Sequence, residues 1–120
     1  MDLTTFYSEI GVDIKTVVNR LGLPEKYLKK YLRKFKENKE YQKLSKAVAE
    51  QDDYNVEWAA HSLKGVASNL GLNSLLTGFQ DLVDSVRHED TQRIPELFEA
   101  TSQEYQKIMS LLEEVDLEES

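Results

Sequence analysis

Apolar residues recur along this chain at helical spacing almost throughout, and short polar stretches interrupt them. Leu3, Phe6, Tyr7 and Ile10 line one face of a short helix that ends at Gly11. Asp13 is placed to cap a second short helix, with Ile14, Val17, Val18 and Leu21 inward and Gly22 as its stop. Pro24 suits the first position of the next helix, where its missing N–H leaves nothing unpaired. From there Tyr27/Leu28, Tyr31/Leu32, Phe35, Tyr41, Leu44 and Val48 predict one long helix to about Glu50. A bend is expected near Asn38, where the apolar spacing lapses. Gln51-Asp52-Asp53 then breaks the pattern, and Asp53 is the expected cap of the succeeding helix.

That helix is predicted from about Tyr54 to Leu70, with Gly71 ending it. Asn73 is the expected cap of another, carrying Leu75, Leu76, Phe79, Leu82, Val83 and Val86 inward and ending near His88. A last helix starts at Thr91 or Pro95, since proline is tolerated only in a first turn. Leu97, Phe98, Tyr105, Ile108, Met109, Leu112 and Val115 form its stripe. Four substantial helices joined by short turns predict an all-α fold, an antiparallel four-helix bundle with one or two short N-terminal capping helices. The chain reads as a single domain over 1–120: capping helices in 1–22, the bundle in 24–115 and an acidic tail in 116–120. No internal repeat or low-complexity segment is evident.

Composition narrows the function. With 120 residues and 40% hydrophobic content the chain can build one core. It has no Cys, which excludes disulfides, thiol nucleophiles and thiolate metal sites. No basic segment followed by an apolar run opens the chain, and no apolar stretch reaches the roughly 20 residues that span a bilayer. A cytoplasmic protein without membrane contact is expected. The net charge of −7 argues against a nucleic-acid binder, although nine of the 15 basic residues fall between Lys26 and Lys46. That stretch would steer an acidic partner or simply be a solvated face.

The chemistry concentrates in Glu57 to Gly71. On a helical wheel with His61 at zero, Leu70, Leu63, Ala59 and Val66 fall within roughly 40° of the opposite pole. Ser68, Glu57, Gly65 and Lys64 lie within roughly 60° of His61 itself. His61 is therefore central to the polar face, not a core histidine. Gly65, one turn along, costs about 1 kcal/mol relative to Ala inside a helix. Such a glycine on a solvated face suggests that something approaches the backbone there. Lys64 can bring an ammonium to an anion on the imidazole. Neutral imidazole, the nucleophile required for phosphoryl transfer, predominates at neutral pH for an ordinary histidine.

The run His61-Ser62-Leu63-Lys64-Gly65, followed by Gly71-Leu72, resembles the phosphoacceptor motif of histidine-containing phosphotransfer (HPt) domains. Gly11-Val12-Asp13, Arg20-Leu21-Gly22, Tyr31 to Phe35 and Asp52/Asp53 resemble the family's upstream pattern, so the likeness covers most of 11–115. What the resemblance implies is a phosphorelay intermediate without kinase activity of its own. His61 would accept a phosphoryl group from an aspartyl phosphate on one receiver domain and pass it to another. Lys64 would stabilise phosphate charge and Gly65 would clear space for the partner. Glu57, Ser68 and Asn69 would contact that partner, a response-regulator receiver domain or a hybrid sensor histidine kinase. The receiver would bring Mg2+, and this chain would hold no metal or cofactor. In the family a polar residue of the next helix can orient the histidine ring. Val83 cannot do so, which leaves Gln80 or Asp84.

The same residues allow three rival readings. Glu57 and His61 give a single outward Glu-x-x-x-His, short of the inward Glu-x-x-His pairs that a di-iron bundle needs. The Lys26–Lys46 stretch is interspersed with Glu37 and Glu40 and has no base-reading motif. A non-catalytic helical module binding receiver or kinase domains through the His61 face is the strongest alternative. His88 sits at a helix end, where a cation suits the dipole. With no additional apolar face, a monomer is the simplest expectation.

Overall fold

A computed structural model describes residues 1–118. Among these the chain is all α. Its helices are α1 (Leu3–Glu9), α2 (Ile14–Leu21), α3 (Glu25–Glu37), α4 (Glu40–Ala49), α5 (Asp53–Leu70), α6 (Asn73–Arg87) and α7 (Ile94–Glu113). A 3-10 turn over Thr91–Arg93 leads into α7, so both expected starting points of the last helix are used, with Pro95 in the first turn.

Helices α4 to α7 form an antiparallel four-helix bundle: α5 packs between α4 and α6, and α7 closes the ring against α6 and α4. Tyr41 of α4 stacks on Tyr105 of α7 at 3.6 Å between ring centroids, and its hydroxyl bonds Ser102 Oγ at 2.8 Å. The buried stripe of α5 is Val56, Ala59, Ala60, Leu63, Ala67 and Leu70. Leu75, Phe79, Leu82 and Val83 of α6 and Ile94, Tyr105, Ile108 and Leu112 of α7 join it in one core. No helix among the described residues is long and apolar enough to cross a membrane.

The first leg differs from the single helix expected over 24–50. It is two helices, because Asn38 turns extended (ψ 130°) and Asn38 Oδ1 accepts a 2.7 Å hydrogen bond from the Glu40 N–H, starting α4 afresh. The cap of α5 is Asp52, whose carboxylate accepts from Asn55 N, while Asp53 is already helical. Leu72 occupies the cap position of α6, and Asn73 makes no side-chain cap. The expected acidic tail begins as packed chain: Leu117 is buried, and its carbonyl accepts from the Arg33 guanidinium. Residues 119–120 of that tail lie outside the described residues.

The capping helices hold the end of α5. Asp13 caps α2 by accepting from Lys15 N, and Gly22 ends it in the left-handed conformation. The Tyr7 hydroxyl, buried, donates to the Leu70 carbonyl at 2.7 Å, and Arg20 Nη1 donates to the Ser68 carbonyl at 2.7 Å. Gly71 (φ +68°) and Leu72 complete the stop with bonds to the Ser68 and Ala67 carbonyls. Orphan carbonyls of a helix end are thus satisfied by two distant side chains and a local turn.

Candidate functional site on the solvent face of helix α5

Capped by Asp52 at one end and held by Tyr7 and Arg20 at the other, α5 presents a polar face to solvent. His61 lies at the middle of it, exposed. Among the described residues no hydrogen bond reaches its imidazole; its ring neighbour is Trp58, edge-on at 6.5 Å between centroids. Lys64, half-buried one turn on, has no ion-pair partner among the described residues. The ammonium is therefore free to meet an added anion.

The glycines separate two causes. A Cβ on Gly78 would lie 2.4 Å from Thr101 Oγ1, so close packing of α6 on α7 requires that glycine. A Cβ on Gly65 would meet nothing within 4 Å. Internal packing does not demand Gly65, and helix propensity opposes it.

The remaining expected residues divide. The Glu57 carboxylate is engaged by Arg87 Nε of α6 at 2.8 Å. Ser68 faces the same side as His61 and gives its carbonyl to Arg20. Asn69 lines a groove of about 400 Å³ with Leu21, Leu23, Tyr31, Lys34 and Val66. Gln80 and Asp84 are brought together, Gln80 Nε2 donating to Asp84 Oδ1 at 2.8 Å, and neither is bonded to His61. Part of the basic stretch is occupied within the molecule: Lys36 pairs with Glu113 at 3.2 Å, Lys43 with Glu40 at 3.1 Å and Lys46 with Glu50 at 3.9 Å.

Sequence reasoning passed over two residues. Tyr54 and Trp58 are 69% and 58% exposed, and their rings meet edge to face at 6.2 Å beside His61. Their wheel positions, about 20° and 60° from His61, carried the signal: large aromatics on a polar face. Arg20 stood out only as part of a motif, because its bond to Ser68 spans 48 residues of sequence.

A cleft of about 490 Å³ lies elsewhere, at the α4–α5 turn, lined by Val48, Gln51, Asp53, Thr91, Gln92 and Pro95 and by none of the candidate residues. Among the described residues no group of three or more His, Asp or Glu gathers as a metal site. The exposed imidazole, the neighbouring ammonium and the open space at Gly65 thus lie on an open helix face and not in that cleft. Comparison of the chain with protein-family models, curated proteins and solved structures finds no match.

Proposed function

We propose that this protein is a phosphorelay intermediate that carries a phosphoryl group on His61 between receiver domains. The observation that carries the reading is the combination on one exposed face of an unbonded imidazole, the free Lys64 ammonium and a glycine that packing does not require.

In the forward half-reaction the lone pair of a neutral ring nitrogen attacks the phosphorus of a receiver's aspartyl phosphate. An N–P bond forms, the P–O bond to the carboxyl breaks, and the aspartate leaves as carboxylate with the electron pair. The other ring nitrogen keeps its proton or releases it to water. The second half-reaction reverses these steps on another receiver's aspartate. Lys64 offsets charge on the equatorial oxygens, and Gly65 lets the partner's phosphoacceptor loop come near the α5 backbone. Mg2+ belongs to the receiver. A cytoplasmic monomer, working with receiver domains or a hybrid sensor kinase, belongs to the same proposal.

The exposed Tyr54–Trp58 pair also favours a second reading, a non-catalytic module that binds such partners through this face. Incubation with a panel of phosphorylated receiver domains separates the two. Transfer to wild type and none to His61→Gln supports the relay. Binding without transfer, unchanged in His61→Gln, supports the module.

A further inference from the structure

Resting on the phosphotransfer reading, we propose that Tyr54 and Trp58 form an aromatic docking strip that selects the receiver. The strip takes an aliphatic side chain and an Arg or Lys from the surface beside the partner's phosphoacceptor aspartate.

Trp58 is the only tryptophan of the chain, and the fold does not use it to fill its core. The buried contacts of α5 are made by Val56, Ala59, Ala60, Leu63, Ala67 and Leu70 instead. Neither the Tyr54 hydroxyl nor the Trp58 indole N–H has a hydrogen-bond partner among the described residues. The two rings and the imidazole form a continuous row, 6.2 Å and then 6.5 Å between centroids. A partner close enough to reach His61 must cover at least the nearer ring. Large aromatic side chains desolvated in this way dominate the energetics of many interfaces.

Charge along the face gives the partner's chemistry and its orientation. Asp52 and Asp53 stand at the Tyr54 end, where Lys46 pairs with Glu50, and Arg87 neutralises Glu57 between them and His61. Lys64 lies on the other side of His61. The face therefore runs from negative to positive across the reacting atom. A receiver seats its carboxylates over His61 and Lys64 and turns a cationic margin toward Tyr54 and Trp58, whose π faces attract guanidinium or ammonium. A second copy is the poorer occupant, because it would bring together two chains that each carry a net charge of −7.

The test uses the full chain, with Trp58→Ala, Trp58→Phe and Trp58→Lys. Phosphoramidate, a small donor that needs no docking, labels His61 directly, and phosphorylated receivers label it through the interface. Trp58→Ala is expected to keep the phosphoramidate rate within about twofold and to lower kcat/KM from the receiver by about tenfold or more, chiefly through KM. Trp58→Phe should recover most of the loss, and Trp58→Lys should fall below Trp58→Ala. Receiver transfer to Trp58→Ala at the wild-type rate overturns the strip and leaves the relay standing. Equal loss with both donors overturns it in favour of a role in positioning His61. A wild-type dimer that Trp58→Ala dissolves overturns it in favour of a second copy. A Trp58→Lys variant as active as Trp58→Ala removes the cationic contact. Phosphoramidate labelling of wild type with no transfer to or from any receiver overturns the relay itself, and the strip with it.

Discussion

The Tyr7 hydroxyl donates a 2.7 Å hydrogen bond to the Leu70 carbonyl, joining the first helix to the last residue of the helix that bears His61. The phenol is fully buried, and burial raises its pKa well above the ordinary tyrosine value. Tyr7→Phe leaves that carbonyl without this donor and is expected to cost about 1–3 kcal/mol of stability in urea denaturation near neutral pH.

The same bond has a pH signature. The pKa of Tyr7 is raised in the folded state, so its contribution is fully present below the unfolded value of about 10. It is lost as pH rises from there toward the folded value, because the unfolded chain releases its proton first. Tyr105, raised by burial and by the neighbouring Tyr41, acts with the same sign. Unfolding free energy should therefore fall above about pH 10, and fall less steeply in Tyr7→Phe than in wild type.

Gly65 and Gly78 should respond oppositely to one methyl group. Gly78→Ala forces a Cβ against Thr101 and is expected to destabilise by about 1–3 kcal/mol, with Thr101→Ala restoring part of the loss. Gly65→Ala has open space and should stabilise by about 0.5–1 kcal/mol. Transfer from a receiver should nonetheless slow in Gly65→Ala. Thermal melts and transfer rates on the same preparations check both halves. A Gly65→Ala protein that is both more stable and fully active would remove the clearance role.

Lys64 should matter to chemistry and little to folding. Loss of a charge-assisted contact worth about 1.5–3 kcal/mol corresponds to about a ten- to hundredfold slower transfer in Lys64→Ala. Lys64→Arg should retain more activity than Lys64→Ala. The melting temperature of Lys64→Ala should stay close to wild type, since the ammonium has no ion-pair partner among the described residues.

The central face of α5 was legible because it is a local property. Residues three and four apart share a side, and the alternation of Leu63, Val66 and Leu70 with His61, Gly65 and Ser68 needs no tertiary knowledge. Helix ends marked by Asp13, Gly22 and Gly71 were legible for the same reason. Competing local signals caused the errors. Two adjacent aspartates offered a cap, and the first took it. Asn38 both lost helical backbone and restarted the helix, which a lapse in apolar spacing shows only as a bend. Long-range bonds were not legible at all: Tyr7 to Leu70 spans 63 residues, and Arg33 reaches Leu117 across 84. The burial of Leu117 accompanies that second contact, so an acidic composition hid a packed residue.

The most direct test is to locate the phosphoryl group. Wild type and His61→Gln, both shown to be folded, are incubated with phosphorylated receiver domains, and the label is followed through acid and base and mapped by peptide mass spectrometry. The expected result is a single phosphoryl group on His61 that is lost in acid, stable in base and absent from His61→Gln. A label on another residue, or equal labelling of His61→Gln, would contradict the assignment of His61 as the carrier.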